Sequence, residues 1–173
     1  VGYAENGQKQ SEENYKDGKL DGLGTSWYPS GQKQGAITFK EDKKAGPATY
    51  WYENGRKHSE GNWDKDQRNG LWVNWYENGQ KEAESNYKNG KLNGPAKSWY
   101  ENGQKESGGN LKDGKRNGHW TGWYTSGRKS LEGKYKDGNP MTVEVWKPNG
   151  EKCPDTNVVN GNGVWVGYAE NGQ

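Results

Sequence analysis

Five Trp-Tyr pairs recur along the chain at one fixed interval. They are Trp27-Tyr28, Trp51-Tyr52, Trp75-Tyr76, Trp99-Tyr100 and Trp123-Tyr124, each 24 residues after the one before. An interval of this size marks a repeat architecture, in which one supersecondary unit stacks on copies of itself. Such a unit buries its apolar face only against its neighbours, so the interval restricts the fold more than any single residue does.

Other residues keep the same beat. A glycine follows each pair at a constant offset, at Gly31, Gly55, Gly79, Gly103 and Gly127; Gly7 extends the series backwards and Gly150 serves the later unit that holds Trp146. A large apolar residue recurs between the pairs, at Tyr15, Phe39, Trp63, Tyr87, Leu111 and Tyr135, and a second glycine closes each unit, at Gly22, Gly46, Gly70, Gly94 and Gly118. Past Tyr124 the register shortens: Trp146 follows Trp123 by 23 residues and Tyr168 follows Trp146 by 22. Regular repeats therefore span 1–138, and irregular, shortened repeats span 139–173.

Aliphatic content alone points to disorder, because Leu, Ile, Val and Phe supply only 16 of 173 residues, below the usual level of a folded domain. Two facts reverse that reading. The net charge is only +2, and the apolar content has moved into 10 Trp and 11 Tyr, each able to bury roughly 150–250 Å². The expectation is a folded chain with a thin aromatic spine.

Each unit reads as a β-hairpin. Asn-Gly favours a tight two-residue turn, since both residues tolerate positive φ, and Asn54-Gly55, Asn78-Gly79 and Asn102-Gly103 follow the aromatic pairs. Ser30-Gly31 and Ser126-Gly127 are weaker versions. The predicted strands are 48–52 and 72–76 before the turn and 80–87 after it, with a longer loop over 88–94 leading to the next hairpin. With 28 glycines and no 3.6-residue apolar period, helices are not expected. Alternation along a strand sends adjacent side chains to opposite faces. It predicts a Trp ladder (Trp27, Trp51, Trp75, Trp99, Trp123, Trp146) on one face and a Tyr ladder (Tyr28, Tyr52, Tyr76, Tyr100, Tyr124) on the other, with Trp72 beside Tyr76 and Trp120 beside Tyr124. The predicted fold is all-β: an elongated, single-layer antiparallel sheet of about seven stacked hairpins, about 14 strands and, at ~4.8 Å per strand, about 67 Å long.

The consensus W-Y-E-N-G-Q-K … N-Y-K-D-G-K-L-N-G resembles the bacterial variant of the MORN repeat. The match runs from Tyr3 to about Gly138 and weakens from Asn139, where Pro140-Met141 replace Leu-Asn-Gly. The resemblance implies an elongated hairpin sheet with a structural or interaction role. It brings no catalytic residue, and the family includes both antitoxin components of toxin–antitoxin pairs and plain repeat scaffolds.

No constellation of reactive residues rises above the repeat background, so no catalytic, cofactor or metal site is expected. His58, His119 and Cys153 are too few for zinc. Gly109, Gly114 and Lys115 approach a phosphate-binding loop, but Arg116 stands where Ser or Thr is needed. Asp64 and Asp66 lack the terminal Glu of a calcium loop. With 25 basic against 23 acidic residues, interleaved as at Lys81-Glu82, no basic face for nucleic acid is expected. The aromatic rings are suited to stacking on sugars, but packing within the ladder is the reading adopted. No transmembrane run occurs.

Residues 1–8 recur unchanged as residues 166–173, with Ala4 and Ala169 both standing where the central units have Tyr. This predicts a window of a larger tandem array with a 165-residue superrepeat. Neither end resembles a cap, so the open strand edges would be satisfied by covalent continuation or end-to-end pairing. The expected function is a non-enzymatic structural filament or extended scaffold, self-associating end to end and located outside the cell or on its surface. The alternative is a cytoplasmic protein-binding module, such as an antitoxin or immunity component.

Overall fold

The alternation and turn signals convert nearly the whole regular region into strands. The computed structural model describes residues 1–5 and 7–170; Asn6 and the Asn171-Gly172-Gln173 end of the repeated octamer lie outside the described residues. The strands are β1 Gly2–Tyr3, β2 Lys9–Glu12, β3 Tyr15–Lys16, β4 Lys19–Leu20, β5 Gly22–Trp27, β6 Lys33–Lys40, β7 Lys43–Trp51, β8 Lys57–Asp64, β9 Gln67–Trp75, β10 Lys81–Lys88, β11 Lys91–Trp99, β12 Lys105–Lys112, β13 Lys115–Trp123, β14 Lys129–Lys136 and β15 Asn139–Val145. Thirteen form one antiparallel sheet in the order β1-β2-β5-β6-β7-β8-β9-β10-β11-β12-β13-β14-β15, and β3 pairs with β4. Apart from β2 and β5, which flank the small β3–β4 pair, neighbours in the sheet are neighbours in the chain, the topology of consecutive hairpins. The chain divides into two compact units, residues 1–80 with 87–90 and residues 81–86 with 91 onward.

The two connections of each repeat have exchanged their expected roles. The predicted 88–94 loop does not exist as a loop: β10 ends at Lys88 and β11 begins at Lys91, leaving a two-residue turn at Asn89-Gly90. Both of its residues have positive φ, 50° and 76°, as do Glu41-Asp42, Lys65-Asp66 and Asp113-Gly114 at equivalent points. That twist matches the twist of the flanking strands. The Asn-Gly turns after the aromatic pairs are the wider ones. Tyr76 N–H donates to the Gln80 carbonyl and Gly79 N–H to the Tyr76 carbonyl, both at 2.8 Å. Only Gly79 has positive φ there, at 91°, which is a type I turn closed by a glycine bulge. Asn78 instead supplies its side chain: Oδ1 accepts from Gln80 N–H at 2.8 Å. Gly7, Gly31, Gly55, Gly103, Gly127 and Gly150 share the positive φ of Gly79.

Residues directly opposed across a ladder share a face. In the second unit this yields one row over five strands: Ala96, Gly109, Trp120, Gly133 and Val143. Small residues flank Trp120 because its indole lies along the sheet and fills the space above them. A Cβ on Gly109 would stand 2.5 Å from Trp120 Cε3 and from the His119 carbonyl. Trp120, Ala96 and Tyr135 form a buried cluster with Leu111 and Leu131 packed against it. In the first unit Trp72 holds the equivalent place. It is the largest fully buried side chain, edge-on to Trp63 at 5.2 Å and stacked on Tyr50 at 6.5 Å. The aromatic core therefore centres on these second tryptophans, whereas Trp27, Trp51, Trp75, Trp99, Trp123 and Trp146 are all half-buried.

The strand count falls one short of fourteen at the C-terminal side. After Gly150 the chain makes only isolated bridges, Trp146 with Lys152 and Thr142 with Val159, and Pro154 has no N–H with which to extend a ladder. The segment instead folds back. Cys153 and Val158 are buried with Val143 and Val145, and Val166 and Tyr168 pack against them. Cys153 N–H donates to the Val145 carbonyl at 2.8 Å. The expectation that neither end carries a cap is corrected here. Residues 151–161 lie along the β15 edge because their apolar side chains gain burial only against Val143 and Val145.

Candidate functional site

The ladder residues perform distinct tasks. In each regular repeat the Trp is the last strand residue and the Tyr opens the turn. In four of them the Tyr ring runs on to the next hairpin, and its hydroxyl donates to that hairpin's Trp carbonyl. Tyr28 reaches Trp51 at 2.8 Å and Tyr52 reaches Trp75 at 2.7 Å. In the second unit Tyr100 reaches Trp123 at 2.8 Å and Tyr124 reaches Trp146 at 2.7 Å. The Trp carbonyl faces the turn, where the ladder has ended, so the phenol satisfies an acceptor that strand pairing leaves over. Tyr76 is half-buried at the same turn position. Arg56 and Arg128 add a second tie, donating from Nη1 to the Glu77 and Pro148 carbonyls at 3.1 and 3.0 Å.

Five of the ladder tryptophans carry a lysine from an earlier strand. Lys9 lies over Trp27, Lys57 over Trp75, Lys81 over Trp99, Lys105 over Trp123 and Lys129 over Trp146, at 4.8–6.0 Å from the ring. Such contacts contribute about 0.5–1 kcal/mol at exposed sites. Four of these lysines also pair with a glutamate three residues on: Glu12, Glu60, Glu84 and Glu132. The hydrogen bonds from Lys9 and Lys129 hold the Glu12 and Glu132 carboxyls below the usual carboxylate range. On the inner face, Arg68 and Arg116 occupy aromatic boxes. Arg68 lies 4.3 Å over Trp72 and donates to the Tyr87 hydroxyl; Arg116 lies 4.6 Å over Trp120 and donates to the Tyr135 hydroxyl. None of these cations was singled out from the sequence. The signal was present, since the lysines share the 24-residue period of the ladder and the two arginines stand 48 residues apart.

The strand pattern, the paired turns and the Tyr-to-Trp ties repeat as one unit. The family model described as the MORN repeat variant matches residues 1–17, 20–41, 68–89 and 92–113, just under half of the chain. Those four segments are MORN-variant repeats. No characterised protein matches it in a sequence comparison. The MORN-variant pattern continues structurally outside the matched segments, for β7–β8 and β13–β14 build the same strands. Those two hairpins carry Arg56 and Arg128 where the matched repeats have Gln32, Gln80 and Gln104.

Among the described residues no three His, Cys, Asp or Glu side chains gather as metal ligands would, and no helix is long and apolar enough to cross a membrane. The strongest titration shift lies in the C-terminal cap. The Tyr168 hydroxyl meets Cys153 Sγ at 3.4 Å, and this contact, with burial and the nearby Cys153 and Asp155 charges, pushes the Tyr168 pKa up to about 12. The same hydrogen bond draws the Cys153 thiol down from its ordinary value.

Two predictions follow these contacts. Tyr100→Phe removes a donor and leaves the Trp123 carbonyl unpaired, an expected cost of about 1 kcal/mol. Urea unfolding of this variant measures that cost, and amide exchange at the Gly103–Arg128 turns should quicken; an unchanged midpoint would show that the tie is idle. In an ultraviolet pH titration, subtracting the Tyr168→Phe curve should isolate one tyrosine that ionises near pH 12, above the bulk of the phenols. A folded pKa raised above the unfolded value means that this contribution to stability is complete below about pH 10 and is lost as pH rises through about 12.

Proposed function

We propose that the chain acts as a non-enzymatic structural scaffold, a run of MORN-variant hairpins whose job is to hold one repeating surface in register. The observation that carries this reading is the Tyr hydroxyl to Trp carbonyl tie, made from four of the hairpins to the next at 2.7–2.8 Å. Backbone pairing alone lets neighbouring hairpins flex at their turns; a buried-side phenol at each turn stiffens the array at the point where the ladder ends. Self-association into a filament fits this role. Covering of the β15 edge by residues 151–161 favours covalent tandem continuation over strand addition at that edge. A surface or extracellular location suits such a scaffold.

The experiment is imaging of the native material together with protease shaving of intact cells. Uniform fibres or a surface layer lost on shaving would support the scaffold. A protease-protected monomer that copurifies with a toxin-like partner would overturn it in favour of a cytoplasmic binding module.

A further inference from the structure

The Lys–Glu pairs beside the tryptophan ladder have two gaps, Ala36 after Lys33 and Gly108 after Lys105, and at the second the lysine still lies over a ladder tryptophan. Lys9, Lys57, Lys81 and Lys129 each meet a glutamate three residues on, but the residue three past Lys105 is Gly108. Gly108 leaves Lys105 without that internal partner beside a cavity of about 320 Å³ lined by Pro95, Lys97, Lys105, Gly108, Asn110 and Trp123. Lys97 stands directly across the ladder from Gly108, and Lys105 lies 5.8 Å over the Trp123 ring. Among the described residues neither lysine is held in an ion pair. The trough 48 residues earlier is an internal comparison: it is of similar volume, about 340 Å³, but there Glu60 stands at the Gly108 position and binds Lys57.

We propose that this cavity binds a carboxylated sugar ring, a hexuronate unit of a glycan. The carboxylate takes the place that Glu12, Glu60, Glu84 and Glu132 hold in the other repeats, between Lys105 and Lys97. The volume admits a ring beside the carboxylate. It lies at the lower end of small-molecule pockets, about 300–1,000 Å³, which a lone carboxylate side chain leaves mostly empty and a pyranose ring fills. Trp123 supplies an apolar wall for the ring's C–H face, and Asn110 supplies hydrogen-bonding groups for hydroxyls. This ligand goes beyond the scaffold reading, which rests on the Tyr–Trp ties and stands or falls separately.

The test is calorimetric titration of the intact chain with a galacturonate trimer, its methyl ester and a triglutamate peptide, with the indole N–H signal of Trp123 followed in parallel. The trimer is expected to bind saturably and shift that signal, and the ester and the peptide to bind at least about tenfold more weakly. Gly108→Glu should abolish binding by restoring the internal pair. The backbone at Gly108 has no positive φ, and a Cβ there meets Lys97 Cγ at 3.6 Å, an ordinary contact, so the variant should fold. Lys105→Gln, which needs no new space, should weaken binding about tenfold. Absence of binding, equal binding of the ester or the peptide, or full binding by Gly108→Glu would each overturn the assignment.

Discussion

Gly109→Ala is expected to destabilise the second unit by about 3 kcal/mol, among the largest effects of a single added methyl in this chain. The new Cβ would meet the Trp120 indole on one side and the His119 carbonyl on the other, each at 2.5 Å. A side chain can turn away, but a backbone carbonyl in a paired strand cannot without breaking its ladder. Trp120 cannot turn away cheaply either, because Ala96, Tyr135 and Leu131 close round it and Arg116 lies 4.6 Å over its ring. Gly61→Ala should act alike in the first unit, since its Cβ would land inside the Trp72 indole. Gly108→Ala is the control: it is the neighbouring residue, it has open space, and it should change stability by less than about 0.5 kcal/mol. Urea unfolding of the three variants checks the ordering. If Gly109→Ala and Gly108→Ala were equally stable, the indole would not lie where the structure places it.

Val145→Asp is expected to detach the C-terminal cap at a cost of at least about 3 kcal/mol. Val145 is 2 % exposed and shares its cluster with Val143, Cys153 and Val158, so a carboxylate there has no partner and no water. The Val145 carbonyl also holds Cys153 N–H, and loss of both contacts frees the strand edge of β15. Limited proteolysis should then cut within 147–168 while β11–β14 stay protected. The freed edge should also promote self-association, because an uncovered strand offers unpaired N–H and C=O groups to a second chain. Light scattering after size exclusion reads this directly. Resistance of 147–168 to protease in the variant would count against the cap.

Much of the fold was legible because its cause is local. The 24-residue interval marks one hairpin per repeat, and Asn-Gly and Asp-Gly mark the places where a chain reverses. The assignment of turn types failed for a local reason too. Asn78-Gly79 reads as a two-residue turn until the hydrogen bonds of Tyr76 and Gly79 are known, and these bonds make it a wider turn with the asparagine side chain as a member. The candidate site was far less legible. Lys105 and Gly108 are unremarkable in the chain, and their meaning comes from Lys97 on the strand before and Trp123 on the strand after. Likewise the lysines over five of the ladder tryptophans come from another hairpin, a relation that alternation along one strand does not express.

The sequence by itself determined the repeat, its strand-and-turn composition and the aromatic character of the repeats' core, because these follow from spacing, from composition and from the backbone preferences of glycine and asparagine. Only the tertiary structure decided which aromatic ring is buried. Trp72 and Trp120 are core while the paired tryptophans are half-exposed, since burial depends on the small residue that faces each ring across the sheet. It also decided that the phenols tie one hairpin to the next and that residues 151–161 cover an edge, because both depend on where strand pairing ends.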